Sequence, residues 1–328
     1  MDNNIFNKRA YGFVVIKAIN SNYNADFTGQ PRTLPDGTVY ATDKALKYTV
    51  RHYIKNEYPD EKVFVYKRLN ENQNPYTLKE AYEAFFNKKI DKDTSKKEII
   101  RDLLSAIDVK FFGATFAPKG SGAEDKNISI HGPVQINHGV NIWKEGNIYS
   151  EQIMSPFRNP GQDDSSEKSA STLGREAKLQ EGHYIYHFSI NPKNIKDIVE
   201  IVKDESLSVK DESLLLTEED IDILKEALRK GVTYYDSAAK VGSENEMLFY
   251  IELTEDSKLV LPNFTDMVKI KEDNDDNRIF DLELVKKELD KYKNEISKCE
   301  IYYNPNLIKV INMPDECKKY DIASCNEI

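Results

Sequence analysis

The order of the secondary-structure elements constrains the fold most, because two consecutive strands in the middle of the chain have no helix between them. Residues 10–19 are rich in Val, Ile and aromatic residues, which predicts a buried strand. The remaining elements follow in chain order: a helix at 42–58, a strand pair at 128–143 broken at Gly132-Pro133, a strand at 183–190, a helix at 217–231 and a strand at 246–253. This order predicts the α+β class and a β-α-β-β-α-β ferredoxin-like domain. An all-parallel sheet fits less well, because its strands would alternate with helices.

Two long insertions and a C-terminal extension interrupt or follow this domain. Residues 60–125 mix short strands and helices, whereas 144–181 are poor in apolar residues and rich in Ser, Gly and charge. Such a composition predicts a segment that protrudes between strands. Beyond the last strand of the domain, 281–297 predicts a helix and 306–313 a final strand.

The composition excludes several classes of protein. Hydrophobic residues make up 39% and charged residues 31%, which is ordinary for a globular chain. No apolar run approaches the ~20 residues of a membrane span, and the N-terminus has no signal-peptide pattern. The cysteines, Cys299, Cys317 and Cys325, have no C-x-x-C spacing, so neither a disulfide framework nor a zinc site is indicated. The cysteine pattern favours a reducing, cytoplasmic location. Nucleotide-binding and hydrolase motifs are absent, so we expect no cofactor and no metal.

The net charge of −10 hides an asymmetry between the two parts of the chain. Residues 193–328 carry 20 Lys and Arg against 32 Asp and Glu, whereas residues 1–192 carry 26 against 24. Residues 8–57 carry eight basic and four acidic residues. A polyanion could therefore bind the first part of the chain despite the acidic total.

The helix predicted at 42–58 has Thr42 as its N-cap, with one apolar and one basic side. At about 100° per residue, one side holds Leu46, Val50, Tyr53 and Ile54. The opposite side holds Lys44, Lys47, Arg51 and Lys55. A charged side often means only contact with solvent. A uniformly basic side in an acidic protein also fits contact with phosphates.

Three asparagines follow the first strand at every second position. In an extended chain Asn20, Asn22 and Asn24 would point the same way and present a row of amides. Lys17 precedes the row and Arg32 follows it. Asparagine is also typical of loop entry, where its side chain bonds nearby backbone. Both interpretations stay open from the residues alone.

Four segments together resemble a known family. They are "RAYGFVVIKAINSNYNAD" at 9–26, "PR" at 31–32, "TDKALKYTVRHYI" at 42–54, and "GPVQINHGVNI" at 132–142 with "SASTLGREAKLQEGHYIYHFSINP" at 169–192. In this order they resemble the repeated backbone subunit of type I-B CRISPR Cascade complexes, within the RAMP superfamily of RNA-recognition-motif-like proteins. The chain departs from the family pattern at Tyr23 and Ala25, where Pro and Gly are usual, and at Tyr48, where a basic residue is common.

The resemblance implies a hand-shaped protein that is not an enzyme. Its RNA-recognition-motif-like palm comprises residues 1–59, 126–143 and 182–262, its fingers 60–125 and its thumb 144–181, with the extension 263–328 packed on the palm. Such subunits polymerise head-to-tail along a guide RNA (crRNA) and present it for pairing with target DNA. The implied partners are further copies of the chain, other Cascade subunits and a recruited helicase-nuclease, without a membrane.

The RNA-binding residues expected from the motifs and the resemblance lie in three groups. They are Lys17, Asn20, Asn22, Asn24 and Arg32; Lys44, Lys47, Arg51, Gln135 and His138; and, in the thumb, Met154, Arg158, Lys168, Thr172 and Arg175. Basic residues and apolar tips in the thumb could press on the RNA backbone and wedge between bases.

Two other functions remain open from the sequence. Related subunits of type III complexes cut RNA with an aspartate in the loop after the first strand, and Asp26 lies in such a loop. A metal-dependent ribonuclease is therefore one alternative, although no second acidic or His residue is evident nearby. A cytosolic interaction protein that binds no nucleic acid is the other.

Overall fold

The computed structural model describes residues 5–123, 125–154, 173–202, 214–274 and 277–328, and it has a mixed α/β architecture. Its helices are α1 (Asp43–Glu57), α2 (Leu78–Phe86), α3 (Lys96–Leu104), α4 (Ile107–Phe112), α5 (Lys193–Val202), α6 (Glu218–Tyr234) and α7 (Glu283–Leu289). Its strands are β1 (Ala10–Ser21), β2 (Tyr40–Ala41), β3 (Gly113–Phe116), β4 (Ile128–His131), β5 (Val134–Ile136), β6 (Gly139–Asn141), β7 (Ile148–Met154), β8 (Leu173–Ile190), β9 (Ser243–Leu253), β10 (Lys269–Glu272), β11 (Arg278–Asp281), β12 (Ile296–Tyr303), β13 (Ile308–Ile311) and β14 (Lys318–Asp321).

A central sheet organises the chain, with β1 in its middle. The strand order is β14-β12-β9-β1-β8-β6-β2, and β5 and β7 also pair with β8. β1 runs antiparallel to both β8 and β9 along most of its length. It is buried on both faces because its β-branched and aromatic side chains fit a fully enclosed strand.

Both faces of this sheet are covered. Val14 and Ile16 of β1 pack on one face against the apolar sides of α1 and α6. Phe13 and Val15 face the other way, into a cluster that includes Val285 of α7 and residues of β11, β12 and β13. Alternate residues of one strand thus serve two cores. A ligand must therefore approach the sheet at an edge or along a loop, because neither face is open.

A third core lies outside the central sheet. It is formed by apolar residues between Phe64 and Ile130, including those of α2 and α3. Helix α5 also contributes to it through Val199 and Val202, although sequence order alone places that helix in the palm. Residues 60–125 therefore share a separate hydrophobic cluster with β4 and α5.

The long strand β8 extends beyond the sheet. Its part from Leu179 to Ile190 pairs with β1, whereas its first residues pair with β7 in a hairpin. The β7 residues of this hairpin are exposed or half-buried. Residues 155–172, which contain Arg158, Lys168 and Thr172, lie outside the described residues.

One predicted helix is wrong in its second half. The prediction at 281–297 corresponds to α7, which ends at Leu289, and to a 3-10 segment, Asp290–Glu295. Strand β12 begins at Ile296 and pairs between β9 and β14. Its sequence "ISKCEIYY" is rich in β-branched and aromatic residues, which favour a buried strand over a helix.

Candidate nucleic-acid interface

The start of α1, the short strand β2 and the loop after β1 are joined by hydrogen bonds. The side-chain Oδ1 of Asn24 accepts from the backbone N of Thr42 at 2.9 Å and from its hydroxyl at 3.1 Å. The backbone N of Arg32 donates to Asn24 at 3.3 Å, and Tyr40 donates to Arg32 at 2.9 Å. Thr42 is the N-cap of α1, as predicted, but its hydroxyl bonds Asn24 and not the helix. These contacts bring Arg32 to the N-terminal end of the basic helix.

Besides Asn24 and Arg32, three of the expected RNA-binding residues lie at this end of α1. Lys44 is exposed and forms no ion pair within the described residues. The Nζ of Lys47 lies 3.0 Å from the carboxylate of Asp43. The exposed ring of His138, on the turn before β6, has its Nδ1 3.9 Å from the same carboxylate and packs 5.5 Å from the ring of Tyr40. We call Arg32, Lys44, Lys47 and His138 the basic cluster; it lies at the β2 edge of the sheet.

Part of the basic side of α1 is engaged by other residues of the chain, which the sequence does not predict. Arg51 donates from Nε to the Oδ2 of Asp108 at 2.9 Å, and only 12% of its side chain is exposed. Asp108 is fully buried and also accepts from the backbone N of Phe64 and Val65. Arg51 therefore compensates a buried carboxylate that holds α4 to the segment at 63–65. We therefore expect Arg51 to support the fold, in place of the phosphate contact expected from the sequence.

The expected row of three exposed asparagines does not form. Asn20 has a left-handed backbone, with φ of 48°, and its Oδ1 accepts from the hydroxyl of Tyr149. Asn22 is buried, and its Nδ2 donates to the carbonyls of Gly29 and Ala177 at 3.0 Å each. Asn24 is engaged by Thr42, as described above. The loop-entry interpretation is therefore the one that these contacts support.

The loop after β1 carries a tight turn at Asp26. The Oδ1 of Asp26 accepts from the backbone N and hydroxyl of Thr28 and from the backbone N of Gln30, at 2.7–3.0 Å. These hydrogen bonds, chiefly that of the Thr28 hydroxyl, lower the pKa of Asp26 from its usual value. Gly29 has a φ of 83°, which its missing side chain allows at low cost. The turn holds Phe27 at its tip, fully exposed.

The other expected residues have separate surroundings. The Nζ of Lys17 lies 2.8 Å from Glu244 of β9, beside a cavity of about 470 Å³ that Tyr234 and Leu307 help to line. Its contacts join it to β9 and not to the basic cluster. Gln135 is half-buried and donates to the carbonyl of Gly132. Met154 and Arg175 are exposed on the hairpin of β7 and β8.

A buried histidine fixes the base of that hairpin. Nδ1 of His183 lies 2.5 Å from Glu246 of β9, and its Nε2 lies 3.1 Å from Glu181. Arg278 of β11 binds Glu181 in turn, at 2.6 Å. Burial opposes the charged imidazolium, but the carboxylates of Glu246 and Glu181 outweigh it and raise the pKa of His183. The hydrogen bonds from His183 and Arg278 lower the pKa of Glu181 to about 2.

Within the described ranges no three His, Cys, Asp or Glu side chains are grouped closely enough to hold a metal ion. No helix in the described part of the chain has the length and apolar character needed to cross a membrane.

Comparison with known proteins identifies the family. The model of the family "CRISPR-associated protein Cas7" matches residues 8–295, which is most of the chain. The chain belongs to the Cas7 family. This result confirms the CRISPR-associated family inferred from the sequence motifs, whereas the type I-B assignment stays a prediction. No curated protein matches this member of the Cas7 family.

One solved structure agrees with this chain at the level of the fold. The Cas7-family chain aligns with a chain from a "CRISPR RNA-guided surveillance complex, pre-nicking" at a TM-score of 0.55 and 12% identity, covering 95% of this chain and 96% of that one. A chain from a "CRISPR RNA-guided surveillance complex" aligns at a TM-score of 0.46 and 13% identity, covering 93% and 96%. At this identity the first of these alignments supports the mixed α/β fold only.

The sequence motifs missed one exposed residue of this region. Phe27 is an aromatic residue between the turn-forming Asp26 and Thr28, where exposed polar residues are usual. An aromatic residue between two turn-forming polar residues was the feature of the sequence that could have identified Phe27.

Proposed function

We propose that this chain is a crRNA-binding backbone subunit of a type I-B CRISPR interference complex. The observation that carries the proposal is the match of the Cas7 family model to residues 8–295. The chain that aligns at a TM-score of 0.55 belongs to an RNA-guided surveillance complex, which is consistent with the proposal. In this proposal the chain holds the guide, does not cut it, and works in the cytoplasm.

The proposed hand has an RNA-recognition-motif-like palm. The adjacent strands β9-β1-β8-β6, with α1 and α6 packed on one face, support this arrangement because they follow the ferredoxin-like order. The fingers correspond to 60–125 and the thumb to 144–181. Because the other face of the sheet is covered by residues of the C-terminal extension, we infer that the RNA runs along the β2 edge and not across the sheet.

The basic cluster suits recognition of RNA without regard to sequence. Lys44, Lys47 and His138 present cationic or protonatable groups at one edge, and phosphate contacts fix a strand without base readout. Arg32 is half-buried and adds a further cation to this edge. A strand held by its backbone leaves its bases free to pair with target DNA.

We further propose that copies of the chain assemble head-to-tail along the guide. A head-to-tail contact that does not close builds a helical filament, whose length the RNA would set. The exposed hairpin residues Met154 and Arg175 would then reach the guide held by the neighbouring copy. Other Cascade subunits and a helicase-nuclease complete the proposed set of partners.

The first experiment measures binding of single-stranded RNA over a salt series with a matched pair of variants. Lys44→Glu reverses a charge in the basic cluster, and Lys319→Glu makes the same change on β14, at the opposite edge of the sheet. We expect Lys44→Glu to weaken binding equally for all RNA sequences and to reduce the salt slope by about 0.7 per lost phosphate contact. Lys319→Glu should bind as the unaltered protein does.

Two results would reject the proposal. A salt-independent affinity of the unaltered protein would exclude binding driven by phosphates. Equal losses in both variants would show that net charge, and not the basic cluster, governs binding. Assembly is checked separately by mass measurement on RNAs of increasing length, where the number of bound copies should rise in proportion to length.

A further inference from the structure

Phe27 is the most exposed large apolar side chain in the described part of the chain. Its relative exposure is 103%, whereas the next highest values are 67% for Val260 and 66% for Met154. Single exposed apolar residues are common and need no explanation. Phe27 differs from such residues because its turn is held by hydrogen bonds, so the ring cannot fold back onto the protein as it could on a flexible loop.

Hydrogen bonds of Asp26 and of Asn22 fix the turn that carries Phe27. Asp26 accepts three hydrogen bonds from Thr28 and Gln30 through a single oxygen. The buried amide of Asn22 holds the carbonyl of Gly29 and, with the same nitrogen, that of Ala177 on β8. The turn is thus attached to the sheet, and the ring of Phe27 is kept in solvent.

The only ring contact of Phe27 within the described residues is with a cation. The guanidinium of Arg32 lies over the ring, 5.9 Å from its centroid. Through Asn24 and Thr42 the same loop is bonded to the start of α1, which carries Lys44. An exposed apolar ring therefore stands beside the basic cluster.

We propose that Phe27 stacks on an unpaired base of the RNA that the basic cluster binds; this inference rests on the proposed function. A nucleotide joins a flat apolar base to an anionic phosphate, which matches a ring flanked by cations. Stacking on an aromatic ring tolerates any base, because every base has a π-face. A pocket of a second protein chain fits less well, since burying Phe27 would also bury the Arg32 guanidinium. Asn22 and Asp26 then act as positioning residues, because they hold the turn and touch no base.

The test uses variants that change the ring and little else. Phe27→Leu keeps an apolar side chain without the ring, and Phe27→Tyr keeps the ring. Both should fold, because the side chain has no packing to lose. Each is measured against a single-stranded RNA and against a strand of equal length whose sugar-phosphate backbone carries no bases.

We expect Phe27→Leu to weaken binding of the RNA by about 5- to 150-fold, the range found for loss of one stacked base. Phe27→Tyr should bind like the unaltered protein. Neither variant should change the salt slope, since Phe27 neutralises no phosphate. On the base-free strand all three proteins should bind equally. With 2-aminopurine in the RNA, the unaltered protein should quench its fluorescence more than Phe27→Leu does.

The outcomes separate this inference from the proposed function. If Phe27→Leu binds RNA as tightly as the unaltered protein while Lys44→Glu still binds more weakly, the stacking role is rejected and the proposed function stands. If neither variant affects binding, both fail. A loss that is equally large on the base-free strand, or a loss of self-association without RNA, would assign Phe27 to a protein contact and overturn the inference.

Discussion

Replacing Arg51 with methionine tests whether the basic side of α1 supports the fold or the RNA. Arg51 binds the fully buried Asp108, whose two oxygens also accept from the backbone N of Phe64 and Val65. Methionine keeps much of the side-chain volume but removes the cation. The charge of Asp108 then remains buried with only the two backbone donors.

The expected cost follows from that environment. Removing one partner of a buried ion pair costs about 3–5 kcal/mol, because the other charge stays buried and uncompensated. The two remaining hydrogen bonds to Asp108 and the 12% exposure of the Arg51 side chain place the expected cost at the lower end, about 3 kcal/mol. At about 2.1 cal/mol/K of unfolding entropy per residue, a chain of 328 residues loses about 1.5 °C per kcal/mol, so the melting temperature should fall by about 4 °C.

The assay compares thermal unfolding and RNA binding of Arg51→Met with those of Lys44→Met, a matched change on the same helix. Lys44 is exposed, so its variant should unfold within about 0.5 kcal/mol of the unaltered protein. Below its melting temperature Arg51→Met should keep the salt slope of RNA binding, whereas Lys44→Met should reduce it. Equal stability of the two variants, or an equal fall in salt slope, would refute the structural role of Arg51.

Three further predictions concern the hairpin, a helix cap and the thumb. The pKa of His183 is raised in the folded state, so its protonation stabilises the fold fully below about pH 6.5, and this contribution is lost as pH rises through the folded-state pKa. The loss of unfolding free energy caused by His183→Gln should therefore be smaller at pH 9 than at pH 6. Thr77→Ala should cost about 0.5–2 kcal/mol in denaturant unfolding, since Thr77 and Glu80 form a capping box at α2; no loss would contradict that cap. Deleting 158–170 should leave the melting temperature unchanged and impair assembly on RNA, and a misfolded product would show that the thumb boundaries are wrong.

The sequence by itself determined the elements that depend on local pattern. The strand at 10–19, the helix at 42–58 with its N-cap Thr42 and the helix at 217–231 agree with β1, α1 and α6 within a few residues. Short-range periodicity and capping decide such elements, so they can be read without the fold. The same local motifs carried the resemblance that the Cas7 family match confirms.

The tertiary structure alone decided which polar residues are available to a ligand. Arg51 is engaged by Asp108, 57 positions away, and Asn22 by Ala177, 155 positions away. No local pattern reveals partners at such separations. The sequence pattern of a basic helix side or of a row of amides is the same whether its members face solvent or a buried partner. Lys44 and Phe27 remain exposed because no part of the chain that the structure describes covers them, and that is a property of the packed molecule.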